Sequence, residues 1–291
     1  MICFLIRSFV SVLFILIRVA LITLFERKIL ALSQFRLGPN KIILKGILQP
    51  VLDGIKLFQK RILLPFQSFK RIFILGPRII LRRIIILWRS LSSFPFHATL
   101  WIRRFLFLLI LRAGVYGVFL RGLGGASKYS FIGGIRACIQ RVRYEIRFAL
   151  IILALVVSIG HITFRQRRSL LFLVVFPIWG FRIIAETNRA PFDLAEGERE
   201  LIRGFNLELG RVFLAFVFVG EYGIVIAFAW LTSLFFFRER FRAVLFWVFL
   251  SLFFRRVLPR FRYDKLLSFC WTSLLPPRVI WILFSLIFRK F

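Results

Sequence analysis

Eight stretches of this chain stay apolar for longer than a helix in a soluble core requires, and that pattern constrains every later step. They cover residues 2–25, 72–91, 99–120, 145–163, 169–186, 211–237, 243–258 and 274–290. A helix that crosses a bilayer needs about 20 mainly apolar residues. In lipid the backbone must satisfy its own hydrogen bonds, so runs of this length span as helices. The composition agrees: 60% of the residues are hydrophobic and the mean hydropathy is +0.85, against about 45–50% apolar in a soluble domain. Too little polar surface is left to cover a water-soluble globule. The expected fold class is all-α, a polytopic membrane protein with about eight transmembrane helices in a single membrane domain over residues 1–291. The first run has no charged leader and no small-residue cleavage site before Phe25, so it reads as a retained helix and not a removable signal.

The connections fall into two classes. Segments 26–71, 121–144, 187–210 and 259–273 are long and polar, whereas 92–98, 164–168 and 238–242 are short. If the runs alternate across the membrane, all the long loops share one face. Segment 26–71 alone carries ten Lys or Arg, and an excess of basic residues marks the cytoplasmic or matrix side. Within that loop, Ile47 to Phe58 places apolar residues near helical spacing. It reads either as an amphipathic helix lying at the interface or as a core-facing helix of a loop domain.

The formal net charge is +32, from 44 Lys and Arg against 12 Asp and Glu. Such a balance often marks a nucleic-acid binder. Here the basic residues are scattered through apolar runs and form no stripe or tail, which argues against nucleic acid as a partner. Cys3, Cys138 and Cys270 are far apart, and neither His97 nor His161 stands in a ligand motif, so no metal site is expected. The Gly122–Gly125 stretch lacks the preceding strand and the spacing of a phosphate loop.

The acids are distributed differently from the bases. Six of the 12 lie between residues 186 and 208: Glu186, Asp193, Glu196, Glu198, Glu200 and Glu208. Glu145 opens the fourth run on the same side. Glu221 lies about ten residues into the sixth run, where an ionisable group costs about 2.5–3.5 kcal/mol and usually faces a partner or a water-filled path. The plain alternatives are a carboxylate held by a neighbouring Arg and a solvated acidic loop over 186–210. Concentrating half of the scarce acid in one loop favours a proton store or relay, because clustered carboxylates titrate as a group. Pro191 and Gly197 divide that loop into short pieces.

The stretch Glu186-Thr-Asn-Arg-Ala-Pro-Phe-Asp193-Leu-Ala-Glu196-Gly-Glu198 resembles a signature of the NADH dehydrogenase subunit 1 family, the membrane subunit of respiratory complex I at its quinone site. Further matches follow in family order: Glu26-Arg27-Lys28, Gln34 to Asn40, Leu48-Gln49-Pro50, Asp53 to Phe58, Gly134 to Ala137, Tyr144-Glu145, Gly204 to Glu208, Glu221-Tyr222 and Pro259 to Asp264. The resemblance spans nearly the whole chain. It implies a core membrane subunit of a proton-pumping NADH:ubiquinone oxidoreductase that forms much of the quinone tunnel and carries acids toward the membrane-arm proton channels. On that likeness Glu145, Glu186, Asp193, Glu196, Glu198, Glu208 and Glu221 carry the proton or charge relay. Arg27, Arg36, Asp53 and Tyr222 belong to the tunnel wall or mouth. The resemblance implies ubiquinone as substrate and no cofactor bound by this chain, with NADH, FMN and iron–sulfur clusters handled by partner subunits. The implied partners are the peripheral-arm quinone-site subunits, the membrane-arm subunits and the lipid bilayer. The implied location is the mitochondrial inner membrane, or a bacterial plasma membrane. Other readings are the equivalent subunit of a membrane-bound hydrogenase and a stand-alone ion transporter, although no internal repeat is visible.

Some positions depart from the family pattern. Arg61 stands where Glu is common and Leu209 where Tyr is usual. Arg143, Arg199 and Arg203 stand where a small residue, often Ser, is usual. Membrane physics points to the same residue type. Arg78, Arg82 and Arg83 lie near the middle of the second run, a burden of roughly 8–10 kcal/mol on an insertion scale, against about 4–7 kcal/mol gained from its Leu, Ile and Phe residues. A mitochondrial code that reads AGA and AGG as Ser and ATA as Met would account for the surplus Arg and for the single Met. RNA editing is a second route, and Arg that snorkel or pair inside a large complex are the physical alternative.

Overall fold

The computed structural model describes residues 2–42, 46–60, 68–92, 100–159, 210–237 and 241–258, with isolated positions between 176 and 192 and between 265 and 272. Among the described residues all regular structure is helical and no strand occurs. The helices are α1 (Ile2–Ser33), α2 (Gln49–Gln59), α3 (Lys70–Ser92), α4 (Leu100–Gly124), α5 (Lys128–Ile159), α6 (Arg211–Phe236) and α7 (Phe241–Val257). Among the described residues two stretches, Phe9–Ser33 and Val212–Ser233, are by length and composition apolar enough to cross a membrane. The runs expected over 169–186 and 274–290 lie largely or wholly outside the described residues.

α1 has 32 residues, about 48 Å at 1.5 Å per residue, against roughly 30 Å of hydrocarbon. A single helix therefore reaches from the apolar run into Glu26, Arg27 and Lys28. α2 carries Pro in its first turn, a position where the missing N–H goes unneeded. None of its residues is buried: Ile47, Leu48, Val51, Leu52, Ile55 and Phe58, on and just before it, are all exposed on this chain.

α5 departs most from the sequence reading. Segment 121–144 was expected as a polar loop, yet a helix of 32 residues starts at Lys128. The cause is an inverted pattern. Ser130, Gln140 and Arg141 are buried with Ala137, whereas Phe131, Ile132, Val142 and Ile146 are exposed. The polar groups find partners inside, as where the Ser130 hydroxyl donates to the Gly122 carbonyl at 3.1 Å. A boundary drawn where hydropathy falls therefore misses the first turns.

Small residues set the packing. α3 and α4 run antiparallel: a Cβ on Gly124 would lie 2.7 Å from Phe73 Cα, and one on Gly117 2.8 Å from Ile80 Cγ1. α4 and α5 are antiparallel too, with Gly122 and Gly134 so close that a Cβ on either would lie 2.8 Å from the other's Cα. α6 runs parallel to α3, Phe73 meeting Phe213 edge-on at 6.3 Å while Ile80 and Ile84 fill the notches left by Gly220 and Gly223. Close approach through glycine is how helices gain dispersion contact in lipid, where burial from water supplies no drive. The main core joins Ile15 and Val19 of α1, Ile84 and Leu87 of α3, Phe148 of α5, Phe228 of α6 and Trp247 of α7. Phe148 lies 5.2 Å from Trp179 and 5.7 Å from Phe228, ring centre to ring centre.

Candidate functional site

Two polar constellations emerge from this packing. The first lies where α3, α4 and α5 meet the start of the acidic loop. Tyr144 is 2% exposed and packs with Ile184, Ala185 and Phe192, its ring edge-on to Phe192 at 6.4 Å. The Gln140 side-chain amide donates to the Phe192 carbonyl at 3.0 Å, which ties the loop to α5. The residues next to Tyr144 and Ala185 are Glu145 and Glu186, and these two carboxylates lie within electrostatic reach of one another. Arg83 and Arg141 act on Glu145 as well, and Arg112 more weakly. Glu186 is 5% exposed, Arg83 4% and Arg141 5%. The Arg141 guanidinium donates to the Gly114 carbonyl at 3.3 Å, and the Arg83 guanidinium occupies the space a Cβ on Gly114 would need. One buried and one half-buried carboxylate, Glu186 and Glu145, flanked by cations form a coupled set, in which a proton arriving on one changes the field at the other.

The second constellation lies at the end of α1. The Tyr222 hydroxyl of α6 donates to Glu26 Oε2 at 2.6 Å. The Arg255 guanidinium of α7 donates to Glu26 Oε1 at 3.0 Å, and these side chains are 6% and 13% exposed. One residue further along, Arg27 donates to Asp53 Oδ2 of α2 at 2.6 Å, with 50% and 30% of the side chains exposed. Gln49 Nε2 donates to the other Asp53 oxygen at 3.1 Å. Phe58 meets Phe216 at 6.3 Å and seats α2 beside α6.

Of the residues expected from sequence, Glu145 and Glu186 come together, Arg27 pairs with Asp53, and Tyr222 lies on the same helix end as that pair through Glu26. Glu221 is half-buried on α6 beside Tyr222. Arg36 is exposed beyond the end of α1. Asp193, Glu196, Glu198 and Glu208 lie outside the described residues. Residues without an expected role also enter the sites: Arg83, Arg141, Gln140, Gln49, Glu26 and Arg255. Glu26 was within reach of sequence reasoning, since it belongs to the Glu26-Arg27-Lys28 match. Arg255 was not, because nothing local links it to a partner 229 positions away. Among the described residues no group of three or more His, Cys, Asp or Glu could hold a metal ion.

Comparison with known proteins supplies the frame. Residues 6–286 match the family model described as NADH dehydrogenase. The chain is 37% identical to NADH-ubiquinone oxidoreductase chain 1 of Aedes aegypti, with 96% of this chain and 94% of the relative covered. It is 37% identical to the chain 1 protein of Mytilus edulis, over 90% of each. It is also 34% identical to an NADH-quinone oxidoreductase subunit of the bacterium Rhodospirillum rubrum, over 92% of this chain and 88% of the relative. With one family model spanning almost its full length, and mitochondrial and bacterial relatives aligned end to end, the chain belongs to the NADH dehydrogenase family.

Proposed function

We propose that this chain is the core membrane subunit of a proton-pumping NADH:ubiquinone oxidoreductase, crossing the membrane about eight times with its long loops on the matrix or cytoplasmic face. The relatives that it matches over nine-tenths of its length are named as subunits of NADH-ubiquinone or NADH-quinone oxidoreductases, and that carries the reading. The chain acts as part of an assembly whose nicotinamide, flavin and iron–sulfur chemistry lies in partner subunits. Its own share is to admit the quinone and to respond to its reduction with movement of charge.

The two constellations divide that work. Arg27, Asp53 and Tyr222 sit together at the end of α1, where a quinone would pass from the membrane interface toward the peripheral arm, with Arg36 further out. Glu145 and Glu186 begin the acidic relay, which Asp193, Glu196, Glu198, Glu208 and Glu221 extend. The direct test is Glu186→Gln in the assembled oxidoreductase, reconstituted in sealed vesicles. The expected result is a normal amount of assembly with proton translocation reduced at least several-fold. Unchanged translocation removes Glu186 from the relay.

A further inference from the structure

The Tyr222–Glu26–Arg255 junction fixes the direction of a hydrogen bond. A carboxylate accepts and has no proton to give. Glu26 already receives the Arg255 guanidinium on one oxygen at 3.0 Å, so the 2.6 Å contact on its other oxygen is the Tyr222 hydroxyl donating. A phenol has one proton and two lone pairs. With the proton committed to Glu26, Tyr222 meets any further group as an acceptor only. The three residues come from α1, α6 and α7, 196 and 229 positions apart in sequence from Glu26. The ion pair is nearly buried, and a buried ion pair is weak evidence for stability. Its geometric effect is well defined: it holds one hydroxyl in one orientation.

We propose that Glu26, itself held by Arg255, is a positioning residue that makes Tyr222 an obligate acceptor, so that the site favours a headgroup bearing hydroxyls over one bearing carbonyls. This rests on Tyr222 lying in the quinone path. A reduced quinone has the hydroxyl that Tyr222 can accept from, whereas an oxidised quinone offers only carbonyl acceptors, which face lone pairs. Glu26 thereby sets the relative affinity for the reduced and oxidised forms while touching neither.

The test measures, in the assembled complex, the KM for a soluble quinone and the inhibition constant of the corresponding quinol. NADH oxidation by a hydrophilic acceptor that bypasses the quinone site serves as the measure of intact assembly. Glu26→Gln, which can turn its amide toward Tyr222 and release the phenol proton, is expected to weaken quinol inhibition about threefold to tenfold relative to the quinone KM, the value of one oriented hydrogen bond. Tyr222→Phe is expected to do the same, and the double variant to go no further than Tyr222→Phe alone. Glu26→Asp and Arg255→Lys, which keep the charges, are expected to recover most of the ratio. An unchanged ratio in Glu26→Gln overturns the proposal, as does an additive double variant. Should Glu26→Gln fail to assemble, Tyr222→Phe decides: a ratio equal to the wild-type value overturns it. If the wild-type chain is absent from any NADH-oxidising assembly, the functional reading itself has failed, which is a separate result.

Discussion

Arg27 and Arg255 each hold a carboxylate at hydrogen-bond distance, 2.6 Å and 3.0 Å, and other arginines of this chain are placed quite differently. Arg83 is buried in mid-helix with its Nε lacking any hydrogen-bond partner among the described residues, and its guanidinium presses on Gly114. Arg78 and Arg82 on the same helix, and Arg112 on α4, point outward. An outward Arg at mid-membrane depth costs about 2.5–3.5 kcal/mol on the insertion scale. Peptide mass spectrometry of the natural protein across Arg143, Arg199 and Arg203 is predicted to find serine at these positions; arginine at all three would refute the altered-code account. The exposed Arg27–Asp53 pair carries a gentler expectation. Exposed ion pairs contribute about 0.2–1 kcal/mol, so Asp53→Asn should leave the thermal stability of the complex nearly unchanged. A collapse of assembly would mean the pair does more than the contacts indicate. The sites were only partly legible. Glu186 and Glu145 stood out because acid is scarce and lies within a matched motif. The Glu26–Arg255 pair depends on three helices meeting, and no local pattern encodes that.

At the scale of elements, α1, α3, α4, α6 and α7 follow the apolar runs because each run is long enough to nucleate and bury a helix by itself. α5 broke the rule: hydropathy reports what faces lipid or core, whereas the first turns of α5 hide Ser130, Gln140 and Arg141 inside. The glycine notches make a sharp prediction. Gly122→Val would drive a side chain into the Gly134 backbone, where a Cβ already lies 2.8 Å from Cα. Overpacking of this kind costs about 1–3 kcal/mol, so the amount of assembled complex on native gels should fall. Gly54→Ala on α2, where a Cβ meets nothing within 4 Å, should leave it unchanged or slightly raised. Equal effects of the two would show that backbone contact between α4 and α5 is not what orders them.

At the scale of the whole molecule, glycine and ring contacts fix the relative directions of α3, α4, α5 and α6. α3 and α4 run opposite ways, as do α4 and α5, and α6 returns parallel to α3. Near the end of α1, Glu26 meets Arg255 of α7 and Arg27 meets Asp53 of α2. That arrangement gathers Glu26, Arg27, Asp53, Tyr222 and Arg255 where α1, α2, α6 and α7 meet.

The most direct test is native electrophoresis of detergent-solubilised membranes, with an in-gel NADH oxidation stain followed by peptide identification of the stained band. The expected result is peptides of this chain within a large NADH-oxidising assembly, and none in the detergent-free aqueous extract. Recovery of the chain in that extract, or in a membrane band without NADH oxidation, would contradict the account.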